Sequence, residues 1–366
     1  AQPRDGRASS RASARDQRNP PLEQARSIRG AFHAGKPRQA GPACPPRRGR
    51  CDNGRMATAP DAARYARHLA LPEIGAEGQQ KLAGASVLII GAGGLGSPSG
   101  LYLAAAGVGR IGLLDHDRIE ISNLQRQVMF DTMHIGQGKA ETARARLSAL
   151  NPDIQVIAHA EKLDAGNAER LFSPYDVIVD GTDRLATRYL INDTCVLLGK
   201  TLVSAAIHRF EGQAMTYLPG RSPCYRCLYP KSPEDLIPNC ATAGVLGVLP
   251  GVMGSLQATE VIKLLTGIGT PLAGRLLLYD ALNLAFDEFR FERRRDCAVC
   301  GEHPTITSLT HHEEKPLTRI AEWTPRQLAD ELKKGGEERL LLIDVREPWE
   351  WAEGRLPGSV PMPLGT

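Results

Sequence analysis

The segment Ser86–Ile90, together with the glycines directly after it, constrains the fold of this chain more than any other feature. Its run of apolar side chains is typical of a strand that is buried on both faces of a parallel sheet. A glycine motif follows at once, then a helix of small residues to Ala106 and a second strand, Arg110–Leu114. The glycines of this G-x-G-x-x-G motif are Gly91, Gly93, Gly94 and Gly96. This order predicts a nucleotide-binding α/β unit, in which loop N–H groups and the helix N-terminus face phosphates.

Strands and helices continue to alternate along the chain, which predicts a mostly parallel sheet with helices on both faces. The predicted elements are a helix at Lys139–Leu150, strands at Ile154–His159 and Asp176–Asp180, a helix at Ala186–Leu198 and a strand at Leu202–Ala206. Alternating residues at Gly212–Tyr217 and Arg275–Tyr279 predict antiparallel strands that extend the sheet, with a helix at Gly254–Leu265 between them. We therefore predict a Rossmann-like α/β domain over residues 56–301.

The first 55 residues have a different composition from the rest of the chain. They are rich in Pro, Gly and Ser and hold 13 Lys and Arg against 4 Asp and Glu. A nucleic-acid-binding arm would have this charge, but the segment lacks interleaved aromatic residues and a helical period. We expect it to be disordered and not to bind nucleic acid, and we expect natural translation to begin at Met56.

The C-terminal part predicts a linker and a second unit. Residues 302–319 are polar and predict the linker. Thr324-Pro325 is a helix-start signature for a helix that runs to Lys334, and Leu340–Val345 predicts a short buried strand. We expect residues 320–366 to form an incomplete second α/β unit.

The compartment is predicted from the apolar segments that the sequence lacks. No run of 18 apolar residues and no secretory signal is present, so we expect a cytoplasmic protein with no membrane contact.

Eight cysteines in such a chain favour metal binding or catalysis over disulfides. Two C-x-x-C pairs predict a tetrahedral structural zinc site, with two metal-free thiol pairs as the alternative. The four predicted ligands are Cys224, Cys227, Cys297 and Cys300.

The remaining candidate residues concern the nucleotide. Asp115, nineteen residues after Gly96, can accept hydrogen bonds from a ribose, which alone would suggest an NAD enzyme. Arg126 and Lys139 favour ATP chemistry instead, because adenylyl transfer to a carboxylate brings anions together and needs fixed cations. Taken singly, each is more often a solvated surface charge. Asp183 follows a strand and can hold Mg²⁺ or cap the next helix.

Ten motifs occur one after another along the chain. Together they resemble the MoeB/ThiF adenylyltransferases, which are relatives of the ubiquitin-activating enzymes. They are RYAR from Arg64, GAGGLGS, LLDHD, SNLQRQ, GQGKAETAR, GTD, CYRCLYP, NCATAGVLGVLPG, GSLQATEVIK and CAVCG. The final segment, with Leu342-Ile-Asp-Val-Arg-Glu-Pro348, resembles the first half of a rhodanese domain, a fusion typical of MoeZ-like members.

The resemblance implies an activity and a set of site residues. Mg·ATP would bind the glycine loop, and the C-terminal Gly-Gly carboxylate of a ubiquitin-like sulfur carrier (MoaD/ThiS type) would attack the α-phosphate. Arg67 would reach in from the partner subunit of a homodimer, and Cys240 would form a covalent link or a persulfide. A cysteine desulfurase or sulfurtransferase would donate sulfur for molybdopterin, thiamine or another product. The implied nucleotide contacts are the glycine loop, Asp115, Ser122, Asn123, Leu124, Gln125, Arg126, Lys139, Asp183 and Arg184.

Two differences from the family pattern matter. Arg184 follows Asp183 where many members have Asn, which leaves the second contact on that strand open. The rhodanese-like segment ends before the loop with its persulfide-forming cysteine, so we expect residues 1–366 to lack thiosulfate:cyanide sulfurtransferase activity. Two alternatives to an adenylyltransferase are an NAD-dependent oxidoreductase and an inactive binding scaffold of the same fold.

Overall fold

The computed structural model describes residues 61–230, 244–309, 323–334, 342–346, 348–351 and 354–362. The predicted disordered extension, Met56, most of the predicted linker and Cys240 lie outside the described residues.

A single eight-stranded sheet forms the body of the described chain. Its strand order is β3-β2-β1-β4-β5-β6-β7-β8. The first five strands in that order are parallel and the last three are antiparallel, so the predicted fold class is confirmed. The strands are β1 (Ser86–Ile90), β2 (Arg110–Leu114), β3 (Gln155–His159), β4 (Val177–Asp180), β5 (Thr201–His208), β6 (Glu211–Tyr217), β7 (Arg275–Asp280) and β8 (Ala285–Arg290).

Helices cover both faces of the sheet, and β1 shows why its sequence is apolar throughout. Side chains of successive strand residues point to opposite faces. Val87 and Ile89 pack in one buried cluster with Leu103, whereas Leu88 and Ile90 pack in another with Ile191. The helices are α1 (Ala66–Leu69), α2 (Gly75–Gly84), α3 (Gly96–Ala106), α4 (Lys139–Leu150), α5 (Ala168–Phe172), α6 (Leu185–Leu198), α7 (Tyr225–Leu228) and α8 (Leu249–Thr266).

The start of α8 and the whole of strand β8 differ from the sequence-based prediction, and the short helices α5 and α7 were not predicted. Helix α8 begins at Leu249, not at Gly254, because Pro250 in its first turn fits a helix start, where its missing N–H has no partner to lose. Strand β8 was not predicted. It lies at the sheet edge and all six of its residues are exposed, so it has no buried face to impose an alternating pattern.

The C-terminal helix starts where the sequence predicted, but the strand predicted as buried is not: Ile343 is 44% exposed and Val345 is 45% exposed. Helix α9 spans Pro325–Lys334, and Thr324 and Gln327 form a reciprocal cap: the Gln327 N–H donates to Thr324 Oγ1 at 3.3 Å, and the Thr324 N–H donates to Gln327 Oε1 at 2.8 Å. Strand β9 (Ile343–Asp344) pairs in parallel with β10 (Val360–Pro361), and helix α10 (Pro348–Trp351) lies between them in sequence.

Across the described ranges, no helix is both long enough and apolar enough to span a bilayer.

His159, at the end of β3, gives a testable pH dependence. Its Nε2 lies 2.9 Å from the Tyr175 hydroxyl, and burial lowers the pKa of its imidazole, although the charge of Glu161 opposes this. The unfolded chain therefore binds this proton more readily, and stability falls as the pH drops below the ordinary histidine value of about 6.5. We expect His159→Gln to weaken this acid-side loss. Urea unfolding at about pH 7.5 and pH 5.5 measures it, and an unchanged difference between the two pH values would contradict the assignment.

Candidate functional site

The sheet topology places a crevice between β1 and β4. From β1 the chain goes to β2 and β3 on one side, and then crosses to β4 and β5 on the other. Ligands of open α/β sheets bind at the carboxyl ends of the strands where the order reverses in this way. The loops after the two strands pack closely there: a Cβ on Gly91 would lie 2.9 Å from the carbonyl oxygen of Gly181.

The glycine loop brings the N-terminus of α3 to this crevice. Gly91 has a φ of +87°, a conformation that side chains other than glycine rarely adopt. A Cβ on Gly96, the first residue of α3, would lie 1.9 Å from the Gly91 carbonyl oxygen, so only glycine allows the turn to close. The first N–H groups and the dipole of α3 therefore favour an anion at the loop.

Asp115 lies just beyond β2 and is bound to the glycine loop. Its Oδ2 accepts a hydrogen bond from the Ala92 N–H at 2.8 Å, and its Oδ1 accepts one from the Asp117 N–H at 2.8 Å. Burial raises the pKa of this carboxyl, against the opposing effect of these hydrogen bonds and of Lys139. Each carboxylate oxygen has a second lone pair, so Asp115 is still able to accept from a ribose hydroxyl.

Lys139 is buried at the start of α4, and its charge is paired with an acid that the sequence analysis did not single out. Its Nζ lies 3.1 Å from Asp117 Oδ2. Burial by itself would raise the pKa of Asp117, but the hydrogen bond and charge of Lys139, with His116 and Arg184 nearby, bring it below its ordinary value. The ion pair fixes Lys139 next to Asp115, because Asp117 is bound to that residue.

The stretch around Arg126 forms a compact turn. Asn123 is buried and accepts from the Glu120 N–H at 3.3 Å, and Arg126 donates to the Ser122 carbonyl oxygen at 3.0 Å. Arg126 is half-buried, Leu124 is partly buried, and Ser122 and Gln125 are exposed. The Arg126 guanidinium is thus held over its own turn by one hydrogen bond, and its other N–H donors have no partner among the residues that the structure describes.

Asp183 and Arg184 are both exposed in the loop after β4. Helix α6 begins at Leu185 with Arg184 as its N-cap residue, and no side-chain hydrogen bond caps it. The alternative role of Asp183 as the helix cap is therefore wrong. The exposed carboxylate of Asp183 is available to a ligand at the carboxyl end of the sheet.

Arg67 is on the short helix α1 and not on one of the loops after β1 and β4. It is exposed and forms no ion pair with any described residue. Its predicted role depends on a second subunit.

The four cysteines come together as predicted. All are buried, and their sulfur atoms lie within 4.8 Å of one another. The Sγ–Sγ distances are 4.0 Å for Cys224–Cys227, 3.7 Å for Cys224–Cys297 and 3.4 Å for Cys227–Cys300. A tetrahedron of thiolates at the usual Zn–S distance of about 2.3 Å has edges of about 3.8 Å. The cluster therefore fits a zinc ion with four protein ligands.

Without a metal, the four thiols do not titrate alike. Hydrogen bonds with the neighbouring sulfurs lower the pKa of Cys297, which accepts them, and raise that of Cys224, which donates. Helix α7, which contains Cys227 and has Cys224 as its N-cap residue, is fixed to α6 by a buried ion pair: Arg226 donates to Asp193 at 2.7 and 2.8 Å.

With this geometry established, comparison with known proteins identifies the chain's family. The model of the ThiF family matches residues 65–299. The chain belongs to the ThiF family. A second model, that of the rhodanese-like domain, matches residues 324–366.

Relatives of this ThiF-family chain have names that include adenylyltransferase. It is 51% identical over 256 residues to the sulfur carrier protein adenylyltransferase of Thermus thermophilus, a match of 68% of this chain and 94% of that protein. It is 46% identical to the adenylyltransferase and sulfurtransferase MOCS3 of Sus scrofa, over 82% of this chain and 69% of that protein. It is 45% identical to the probable adenylyltransferase/sulfurtransferase MoeZ of Mycobacterium tuberculosis, over 83% of this chain and 79% of that protein.

Solved structures show the same fold. Escherichia coli MccB with succinimide matches with a TM-score of 0.59 and 26% identity, over 65% of this chain and 73% of that one. MccB with ATP matches with a TM-score of 0.58 and 26% identity, over 65% of this chain and 74% of that one.

These matches confirm the predicted resemblance, the rhodanese-like segment and the prediction of a nucleotidyltransferase. They give no support to an NAD-dependent oxidoreductase or an inactive scaffold. The individual site residues stay predictions. Two further residues near them were missed: Asp117, for which the D-x-D spacing with Asp115 was the available signal, and Arg188, which gave no signal because an arginine inside a helix is usually a solvent-exposed charge.

Proposed function

We propose that this ThiF-family chain uses ATP to adenylylate the C-terminal carboxylate of a ubiquitin-like sulfur-carrier protein. One observation carries the proposal. The β1–β4 crevice combines an anion-binding helix N-terminus with Asp115, and Lys139 is fixed next to that carboxylate through Asp117. The names of the relatives, which include sulfur carrier protein adenylyltransferase, support the choice of acceptor.

The chemistry follows from charge. The ionised carboxylate of the carrier attacks the α-phosphorus, the bond from that phosphorus to the bridging oxygen breaks, and pyrophosphate leaves. No proton transfer is needed, because the nucleophile is already an anion. The chain's task is to hold two anions together, and Arg126 and Lys139 neutralise the charge that develops. Lys139 uses one of its three N–H donors on Asp117, which leaves donors for phosphate oxygens.

Further groups complete the proposed site. Asp183 would hold Mg²⁺, which would supply charge neutralisation on the triphosphate. Asp115, His116 and Asp117 also lie within 4.8 Å of one another, but Lys139 and backbone N–H groups already pair with the two carboxylates. Arg67 would enter from the partner subunit of a homodimer. The four cysteines would hold a structural zinc ion.

The proposal includes the biosynthetic pathway that the sulfur carrier serves. Carriers for molybdopterin, thiamine or another sulfur-containing product are all candidates, with a cysteine desulfurase or sulfurtransferase as the sulfur donor. A role for Cys240, which lies outside the described residues, stays a prediction.

Exchange of labelled pyrophosphate into ATP tests the proposal. We expect exchange only when a carrier that ends in Gly-Gly is added, because its carboxylate is the nucleophile. The matched control is the same carrier without its last glycine, which should not support exchange. Offering each carrier type in turn identifies the pathway. Exchange without any carrier would contradict the proposal.

A further inference from the structure

Arg188, on helix α6, is a buried arginine that contacts the loop that carries Asp183. Its side chain is 5% exposed, and its Nε lies 3.5 Å from Oδ2 of Asp180, the last residue of β4. Its Nη2 donates to the carbonyl oxygen of Thr182 at 2.8 Å. The guanidinium therefore contacts both the strand end and the loop.

Asp180 also binds this loop, through Thr182. It is fully buried, and its Oδ1 accepts from the Thr182 N–H at 3.0 Å and from the Thr182 hydroxyl at 2.7 Å. Its Oδ2 accepts from the Ser204 hydroxyl at 2.8 Å. The N–H, hydroxyl and carbonyl oxygen of Thr182 are thus all bound by Asp180 and Arg188.

The Thr182 carbonyl belongs to the planar peptide unit that links the Cα atoms of Thr182 and Asp183. Because that unit is planar, a hydrogen bond that fixes its oxygen also fixes the direction in which Asp183 leaves the loop. Asp183 itself is exposed and has no such restraint on its side chain in the described part of the chain.

Stability alone does not account for this ion pair. Replacing a buried ion pair with well-packed apolar residues is often neutral or stabilising, because removing two charges from water is costly. Here the pair lies at the carboxyl end of a strand next to the crevice, where small displacements of a catalytic group reduce the rate strongly. We propose that Arg188 is a positioning residue: it orients the Thr182–Asp183 peptide, and so the Asp183 carboxylate, for adenylyl transfer. This inference rests on the proposed function.

A double-mutant cycle tests the proposal in the full chain. We expect Arg188→Gln to lower kcat for carrier-dependent pyrophosphate exchange about tenfold, with a much smaller change in KM for the carrier. In an Asp183→Ala background, the same substitution should lower kcat by less than about twofold, because its effect acts through Asp183. A full tenfold loss in that background would overturn the proposal. Arg188→Lys, which keeps the charge but not the fork, should give an intermediate loss.

Hydrogen exchange gives a readout that does not depend on activity. In Arg188→Gln, peptides that cover residues 180–188 should exchange at least about tenfold faster, with little change in β1 and α3. The control is Arg226→Gln, which breaks another buried ion pair on α6 and should leave exchange in the Asp183 loop unchanged. Unchanged exchange at residues 180–188 in folded Arg188→Gln or Arg188→Lys protein would overturn the proposal. If wild-type protein supports no carrier-dependent exchange of pyrophosphate, the proposed function fails, and the hydrogen-exchange result still decides whether Arg188 orders the loop.

Discussion

Replacing Arg126 with alanine is expected to lower the rate of carrier-dependent pyrophosphate exchange by at least about a hundredfold, the usual scale for loss of a preorganised charge stabiliser. The guanidinium is half-buried and held by the Ser122 carbonyl oxygen, so little reorganisation is needed when charge develops on the phosphates. Since the interaction strengthens in the transition state, kcat should fall more than KM rises.

Arg144→Ala is the matched control for this substitution. Arg144 is exposed on α4, and its ion pair is with Glu141 on the same helix. Its loss should change the exchange rate by less than about twofold, since exposed pairs of this kind contribute little. If Arg126→Ala were as active as Arg144→Ala, the role assigned to Arg126 would be wrong.

Loss of the metal from the four-cysteine cluster is expected to have the second large effect, on stability. We expect one zinc ion per chain, and Cys297→Ser should lose it and melt at least about 10 °C lower. The cluster joins Cys224 on the α7 side to Cys297, 73 residues later, so the metal acts as a cross-link over a long loop. Metal analysis and thermal melting of the two proteins measure both effects.

A different cysteine separates loss of the metal from loss of a buried thiol. Cys195 is buried in α6 outside the cluster, and burial raises its pKa well above the ordinary value. Cys195→Ala should therefore retain the zinc ion and melt closer to wild type than Cys297→Ser does. A Cys297→Ser protein with its full metal content and unchanged melting would rule out the assigned ligands.

Much of the site could be predicted from the sequence. The apolar run of β1 and the glycines after it predicted the loop, because burial on both sheet faces and a turn without Cβ atoms are local demands. The two C-x-x-C pairs predicted a shared metal site, because each pair supplies two ligands from a tight turn. By contrast, β8 left no sequence signal, since an exposed edge strand needs no apolar face.

The sequence by itself determined most of the buried strands and long helices, the glycine loop and the residue types available for phosphate and metal. Only the tertiary structure decided which of them meet: Gly91 against Gly181, Lys139 with Asp117, and Arg188 with Asp180 and the Thr182 carbonyl. The physical reason is the distance along the sequence over which each interaction acts. Periodicity and turn stereochemistry act between residues a few positions apart, whereas the partner of a buried charge is set by strand order and by how helices pack on the sheet.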